Sequence, residues 1–301
     1  MNKSFSRTAL GLLLPLSALI VGCGQSNRAF LTRDRLDRGL VIILPGIEGE
    51  SPRNQEIRRG LDQAGLYCAM PIYHWGRPIP IAGLLINQVD VAGNRLAAKE
   101  LARVIVNYQN SRPGRPVFLV GHSAGGGIAV FTAEALPVGY RLDALVLLSA
   151  SISAGYDLSK ALAKTRRGIV NFFSPADVGM LVVGTTLAGN MDGARGSGAG
   201  AYGFDLPGAN DSPARLLAYR RLWQFGLEGP TNGGFMKAHA STTRSAFVAK
   251  YVAPWICATV WPPRGARTGT CPTLGGAPAS APATSPAGGA ENRLPAGLRK
   301  P

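Results

Sequence analysis

The chain has 301 residues, a formal charge of +15, only 16% charged residues, and 39 glycines and 22 prolines. This length can bury a sizeable core in one large or two small domains. The positive residues are scattered and never form a run of five, which excludes a basic nucleic-acid tract and suits diffuse attraction to anionic envelope or membrane surfaces.

The chain opens with a polar stretch carrying Lys3 and Arg7, then an apolar stretch over 8–21 interrupted by Pro15 and Ser17. The apolar part is too short to span a bilayer and has the shape of a signal peptide. It ends Ile20-Val21-Gly22-Cys23 and resembles the bacterial lipoprotein signal. The resemblance implies cleavage before Cys23, a diacylglycerol on its sulfur and an acylated amine, so that several acyl chains anchor the protein to a membrane of the cell envelope. An ordinary secretory peptide followed by an unrelated Cys is the alternative. Gly24 follows, so no acidic residue marks the protein for inner-membrane retention. Residues 1–22 are therefore expected to be a signal peptide and the polar residues 23–38 a short tether.

Residues 39–44 (GLVIIL) read as a strand buried on both faces, running into the turn Pro45-Gly46-Ile47-Glu48-Gly49. A helix is expected over 52–64, with Ile57, Leu61 and Ala64 on one face and Gly65 as its stop. A strand over 66–73 and a turn over 74–78 follow. Residues 89–108 read as a long amphipathic helix with Leu96, Leu101, Val104, Ile105 and Tyr108 on its apolar stripe. Pro113 and Pro116 bracket the turn into a strand over 117–120, and a helix is expected over 126–136. Strands over 143–149 and 168–173 enclose a helix over 158–164. Strands alternating with helices imply a parallel sheet with right-handed crossovers. Residues 184–210 are Gly-rich and read as a long loop over the site. Residues 213–225 hold a helix or strand, with 219–225 as the last strand, and 242–252 form a final helix with Ser241 as N-cap. The domain is expected to span 39–261. From Pro262 the composition turns to Pro, Ala, Gly, Ser and Thr, so 262–301 should be a disordered tail.

Between the strand at 117–120 and the helix at 126–136, Gly121-His122-Ser123-Ala124-Gly125 spells G-x-S-x-G. Strand, sharp turn and helix are the context this motif needs. Side chains at Gly121 and Gly125 would clash where strand and helix nearly touch, and Ser123 at a helix start lies beside N–H donors. A Gly-rich turn that binds nothing, or one that cradles a phosphate, has the same outline. The chain contains neither G-x-G-x-x-G nor G-x-x-x-x-G-K-[ST].

Here the chain resembles the α/β-hydrolase superfamily. The resemblance implies an α/β fold: a mostly parallel sheet with helices on both faces, lacking the usual N-terminal antiparallel strands because little chain lies between Cys23 and Leu40. It implies that Ser123 is a nucleophile and that the backbone N–H groups of Ile47 and Ala124 form the oxyanion hole; a plain Pro-Gly turn at 45–49 is the alternative for Ile47. The family order is nucleophile, acid, base. Of the three His, His239 fits that order as base, His74 comes too early, and His122 should point away from Ser123. Asp177, after the strand at 168–173, is the expected acid, although Ser174-Pro175-Ala176-Asp177 also has the form of a capping box. Asp157 is the rival and could itself be an N-cap; Asp192 and Asp205 lie in the Gly-rich loop.

Cys68 reads as a buried thiol. Cys257 and Cys271 could pair in an oxidising compartment, but no Cys/His cluster points to a metal, and no cofactor is expected. The implied chemistry is acyl transfer from a small-molecule or lipid ester, or a thioester, to water. The same fold could serve a non-catalytic envelope binding protein, and the same triad an acyltransferase.

Overall fold

The computed structural model describes residues 25–76, 82–174, 189–227 and 240–262, to which every structural statement here refers. Five strands form one parallel sheet in sequence order: β1 (Leu40–Leu44), β2 (Val117–His122), β3 (Leu142–Leu148), β4 (Thr165–Phe173) and β5 (Leu222–Gly226). Every residue of β1, β2 and β3 is buried, which is why these stretches are mostly apolar rather than alternating, with Asp143 in β3 and His122 at the end of β2 as polar exceptions. Leu44 pairs with Gly121 and His122 with Leu148, so the carboxyl ends of β1, β2 and β3 share one edge of the sheet.

Side chains alternate between the two faces. Leu40, Ile42, Leu119, Leu145 and Leu147 pack beneath the helices over 91–111, 124–135 and 159–163, whereas Val41, Ile43, Phe118, Val146 and Val170 pack with Ile57, Leu61, Val252 and Trp255. Helices therefore cover both faces, as expected for an α/β-hydrolase-like fold.

Residues 25–38, expected to be a tether, are folded against the domain. They form two short helices, α1 (Gln25–Arg28) and α2 (Arg33–Arg38). Asn27 is fully buried, and its amide donates to the Ile72 carbonyl at 3.2 Å while accepting from the Ile72 N–H at 3.2 Å and from Arg58 at 2.6 Å. The Met70 N–H bonds the Phe30 carbonyl, and Leu36 packs on the core. These attachments are mostly polar, so no apolar run announces them.

Helix α3 (Pro52–Gln63) lies where a helix was expected, and Gly65 adopts φ +83° just beyond it. The segment 66–73 follows β1 in parallel but joins it only through the bridges Leu40↔Ala69 and Ile43↔Ile72. Ala69 donates to Gly39 and Tyr73 to Ile43, so the missing rung is the one Pro71 would donate. An unforeseen helix, α4 (Ala82–Val89), precedes α5 (Val91–Ser111), whose N-cap is Asp90. Leu96, expected on the buried stripe of α5, is 54% exposed. It sits five residues before Leu101, about 140° round the helix from it, and Ala98 and Ala102 take its place in the core.

Helix α6 (Ala124–Ala135) follows β2 directly, and α7 (Ser159–Ala163) joins β3 to β4. The described part of the Gly-rich region, 189–210, contains one helical turn, α8 (Ala199–Tyr202), and α9 (Pro213–Tyr219) leads into β5. The expected helix at 242–252 with Ser241 as its cap is instead α10 (Ser245–Phe247), a π turn over Val248–Val252 and α11 (Ala253–Cys257), with Arg244 as N-cap. Pro254 has no N–H to return to the preceding turn, and the ladder widens before it: the Ala253 N–H reaches back to Val248. Cys23, the signal peptide and the tail from 263 onward lie outside the described residues.

Candidate active site

The centre of the site is backbone geometry. Ser123 has φ +54° and ψ −125°, and among the described residues only Ser149, at φ +48°, is another non-glycine residue with positive φ. Such conformations cost about 1–3 kcal/mol and persist only where the surroundings enforce them. Here the Ser123 N–H donates to the Leu148 carbonyl at 3.0 Å, and its own carbonyl accepts from Gly126 and Ser151, both at 2.9 Å. Ser123 is also the one residue between 121 and 134 that is not buried. The turn thus lifts a single hydroxyl out of an otherwise closed strand-to-helix junction.

The two glycines of the motif make that junction possible. A Cβ on Gly121 would lie 2.5 Å from the Gly125 carbonyl oxygen and 2.7 Å from the Gly126 Cα. A Cβ on Gly125 would overlap the carbonyl oxygens of Leu44 and Pro45. Gly125→Ala drives a methyl into backbone that cannot step aside, so a loss of about 3 kcal/mol is expected in denaturant melts. Gly208→Ala, where no atom lies within 4 Å and φ is not positive, serves as the control without a clash.

The same contact sets the 45–49 loop against the elbow. That loop is closed by a bond from the Gly49 N–H to the Gly46 carbonyl at 3.1 Å, and Ile47 within it is half-buried. Ala124, the other expected oxyanion donor, is fully buried at the first position of α6.

Asp177 and His239 lie outside the described residues, but the chain on either side of them is visible. β4 ends at Phe173, one residue past Phe172, which pairs with Leu148, and the Ser174 N–H donates to the Gly200 carbonyl at 2.9 Å. Ser174, the last described residue before Asp177, therefore lies at the sheet edge that carries Ser123. Thr242, three residues after His239, has its hydroxyl 3.4 Å from that of Ser149, and both residues are fully buried. Ser149 adjoins Leu148, whose carbonyl holds the Ser123 N–H, so the chain returns beside the elbow.

The other candidates are engaged elsewhere. Asp157 is exposed; its carboxylate accepts from the Ser159 N–H at 3.0 Å and the Ser159 hydroxyl at 2.7 Å and lies 3.6 Å from Arg215. Partial burial pushes its pKa up, but the Ser159 bonds and the Arg215 charge outweigh that and hold it below the usual carboxylate value. Asp192 accepts from the Ser153 N–H and hydroxyl, tying the Gly-rich segment to the loop after β3. His74 lies 3.1 Å from Glu50, and His122 is fully buried at the end of β2. Burial pushes the half-buried Cys68 thiol up to about 12, well short of a reactive thiolate. Cys257 is exposed, and Cys271 lies outside the described residues. No group of three His, Cys, Asp or Glu among the described residues could hold a metal, and no described helix is long and apolar enough to cross a membrane.

Three side chains around the elbow were not foreseen. Trp75 donates its indole N–H to the Pro45 carbonyl at 2.8 Å, Asn87 donates to the Ile47 carbonyl at 3.4 Å, and Gln88 donates to the Ser151 hydroxyl at 2.9 Å. The available signal was the adjacent amide pair Asn87-Gln88 inside an otherwise apolar run, because buried amides need partners.

A scan against protein-family models and a search of curated proteins give no match. Similar solved structures include the esterase PE8, 18% identical over 68% of this chain and 91% of that one, with a TM-score of 0.39. A dienelactone hydrolase-like promiscuous phosphotriesterase from metagenomic libraries is 14% identical over 70% and 84%, with a TM-score of 0.41. The esterase domain of a Rhodothermus marinus protein is 13% identical over 75% and 88%, with a TM-score of 0.40. At such identities and TM-scores these likenesses carry nothing about activity, and what this chain itself displays is a strained, half-exposed serine on a glycine-flanked elbow at the carboxyl edge of a parallel sheet.

Proposed function

We propose that the protein is a serine hydrolase that cleaves an ester, or a thioester, through an acyl-enzyme on Ser123. The observation that carries this reading is the Ser123 backbone, held at φ +54° with the residue left half-exposed among buried neighbours. A structural turn has no need of a strained serine where glycine would cost less.

In this reading the Ser123 hydroxyl attacks the acyl carbonyl and His239 takes its proton. The N–H groups of Ile47 and Ala124 receive the oxyanion, and Asp177 orients His239 and stabilises its imidazolium. Collapse of the tetrahedral intermediate breaks the ester bond, with the proton passing from His239 to the leaving alcohol. Water, activated by the same His239, then releases the acid and restores Ser123. Support for Asp177 and His239 comes from their order in the chain, from the paths of β4 and Thr242 beside the elbow, and from the engagement of Asp157 with Ser159 and Arg215. The test is labelling of the full chain with a fluorophosphonate, read by mass spectrometry. One adduct, on Ser123, is the expected result, and a folded protein that takes no label and cleaves no p-nitrophenyl ester leaves only a binding role. An added alcohol acceptor that yields a new ester would make the protein an acyltransferase.

We further propose that Cys23 carries lipid and that the protein is an envelope lipoprotein acting on a small-molecule or lipid ester close to the membrane. Expressed in a bacterium, it should incorporate labelled fatty acid and partition into detergent, and Cys23→Ser should abolish both. Equal incorporation in the variant would remove the anchor.

A further inference from the structure

The loop that would supply the second oxyanion donor contains Gly46 and Gly49, and such a loop has little conformational preference of its own. The N–H of Ile47 belongs to the peptide between Gly46 and Ile47, and the orientation of that peptide depends on its two neighbours. Both neighbouring peptides are held by side chains from outside the loop. The Pro45 carbonyl accepts the Trp75 indole N–H at 2.8 Å, from a Trp only 8% exposed. The Ile47 carbonyl accepts from the Asn87 amide at 3.4 Å, and Asn87 is 6% exposed.

The two donors form one cradle. A Cβ on Gly76, next to Trp75, would lie 2.5 Å from the Asn87 amide nitrogen, so the Asn87 amide rests directly against the backbone that carries Trp75. On its other side the Pro45 carbonyl faces the elbow, since a Cβ on Gly125 would meet it at 2.5 Å. The Pro45 carbonyl is therefore pinned between Trp75 and the nucleophile turn. The peptide that bears the Ile47 N–H lies between two fixed points.

We propose that Trp75 and Asn87 are positioning residues for the oxyanion hole of the Ser123 site, a role that rests on reading Ser123 as the nucleophile. Neither touches substrate. Each aims a backbone donor whose value depends on lying within a few tenths of an ångström of the developing charge.

The test uses the full chain and the variants Trp75→Phe, which keeps an aromatic ring and removes the indole donor, and Asn87→Ala. Thermal stability is recorded for each, so that either variant can carry the test if the other fails to fold. Wild type is first labelled with fluorophosphonate. Then kcat and KM for a short p-nitrophenyl ester are measured, together with the affinity of a trifluoromethyl ketone, whose hemiketal adduct places an oxyanion in the hole. The expected result is a fall in kcat of about tenfold or more with KM nearly unchanged, and a parallel loss of ketone affinity. A lower melting temperature with kcat and ketone affinity at wild-type values would show that both residues merely pack, and would overturn the proposal. A folded wild type that takes no fluorophosphonate overturns the hydrolase reading itself, and the positioning role falls with it.

Discussion

Ser123→Ala should remove the fluorophosphonate adduct and lower kcat on short esters by about a millionfold, the scale seen when a triad nucleophile is lost. The same substitution should leave the melting temperature nearly unchanged. The Ser123 side chain makes no capping bond to α6, and the strain at φ +54° belongs to the backbone, which alanine and serine bear alike. Ser123→Gly sharpens the test. It is equally inactive, yet glycine reaches this conformation without a Cβ clash, so stability should rise by about 1 kcal/mol. A site that gains stability as it loses its nucleophile is one where strain is kept for chemistry. Differential scanning calorimetry beside a p-nitrophenyl acetate assay reads both halves. Full activity in Ser123→Ala would end the enzyme hypothesis.

The sheet and the elbow are legible in the sequence because their causes are local. β1 to β3 are predominantly apolar runs, each buried on both faces. The glycines at 121 and 125 announce a close approach that the backbone then makes. Features set by distant partners are not legible in this way. The 25–38 segment reads as solvated because what fixes it is an Asn27 amide meeting the Ile72 backbone and a carbonyl of Phe30 meeting Met70. Leu96 is an apolar residue on the wrong side of a helix whose core face is partly alanine. The segment 66–73 pairs like a strand, but Pro71 removes one rung. Within the candidate site, the serine is visible from five residues of motif. The roles of Trp75 and Asn87 are not, even though Asn87 stands out as an amide in an apolar run, because their partners are backbone carbonyls, which sequence does not distinguish. Asp177 and His239 rest on chain order, which a sequence does display; where their side chains lie relative to Ser123 is not legible in it.

The acid is where chain order and local chemistry can be separated by experiment. Asp177→Asn should lower kcat about ten-thousandfold with the fold retained, because the base then loses the carboxylate that fixes its tautomer and stabilises its imidazolium. Asp157→Asn should act in the opposite manner. Its carboxylate accepts two bonds from Ser159 at the start of α7 and lies 3.6 Å from Arg215, so the amide should weaken that turn by at most about 1 kcal/mol and leave turnover intact. The ion pair adds little, since Asp157 lies largely in solvent. The two variants thus differ in which readout moves, kcat for one and melting temperature for the other. His239→Ala supplies the link between them. If Asp177 acts only through His239, adding Asp177→Asn to His239→Ala should cost almost nothing further, as is found for residues that work as a unit. Independent, multiplicative losses would mean that Asp177 acts without His239. A silent Asp177→Asn beside an inactive Asp157→Asn would transfer the acid's role to the loop after β3 and leave Asp177 as the cap that its Ser-Pro-Ala-Asp setting also describes.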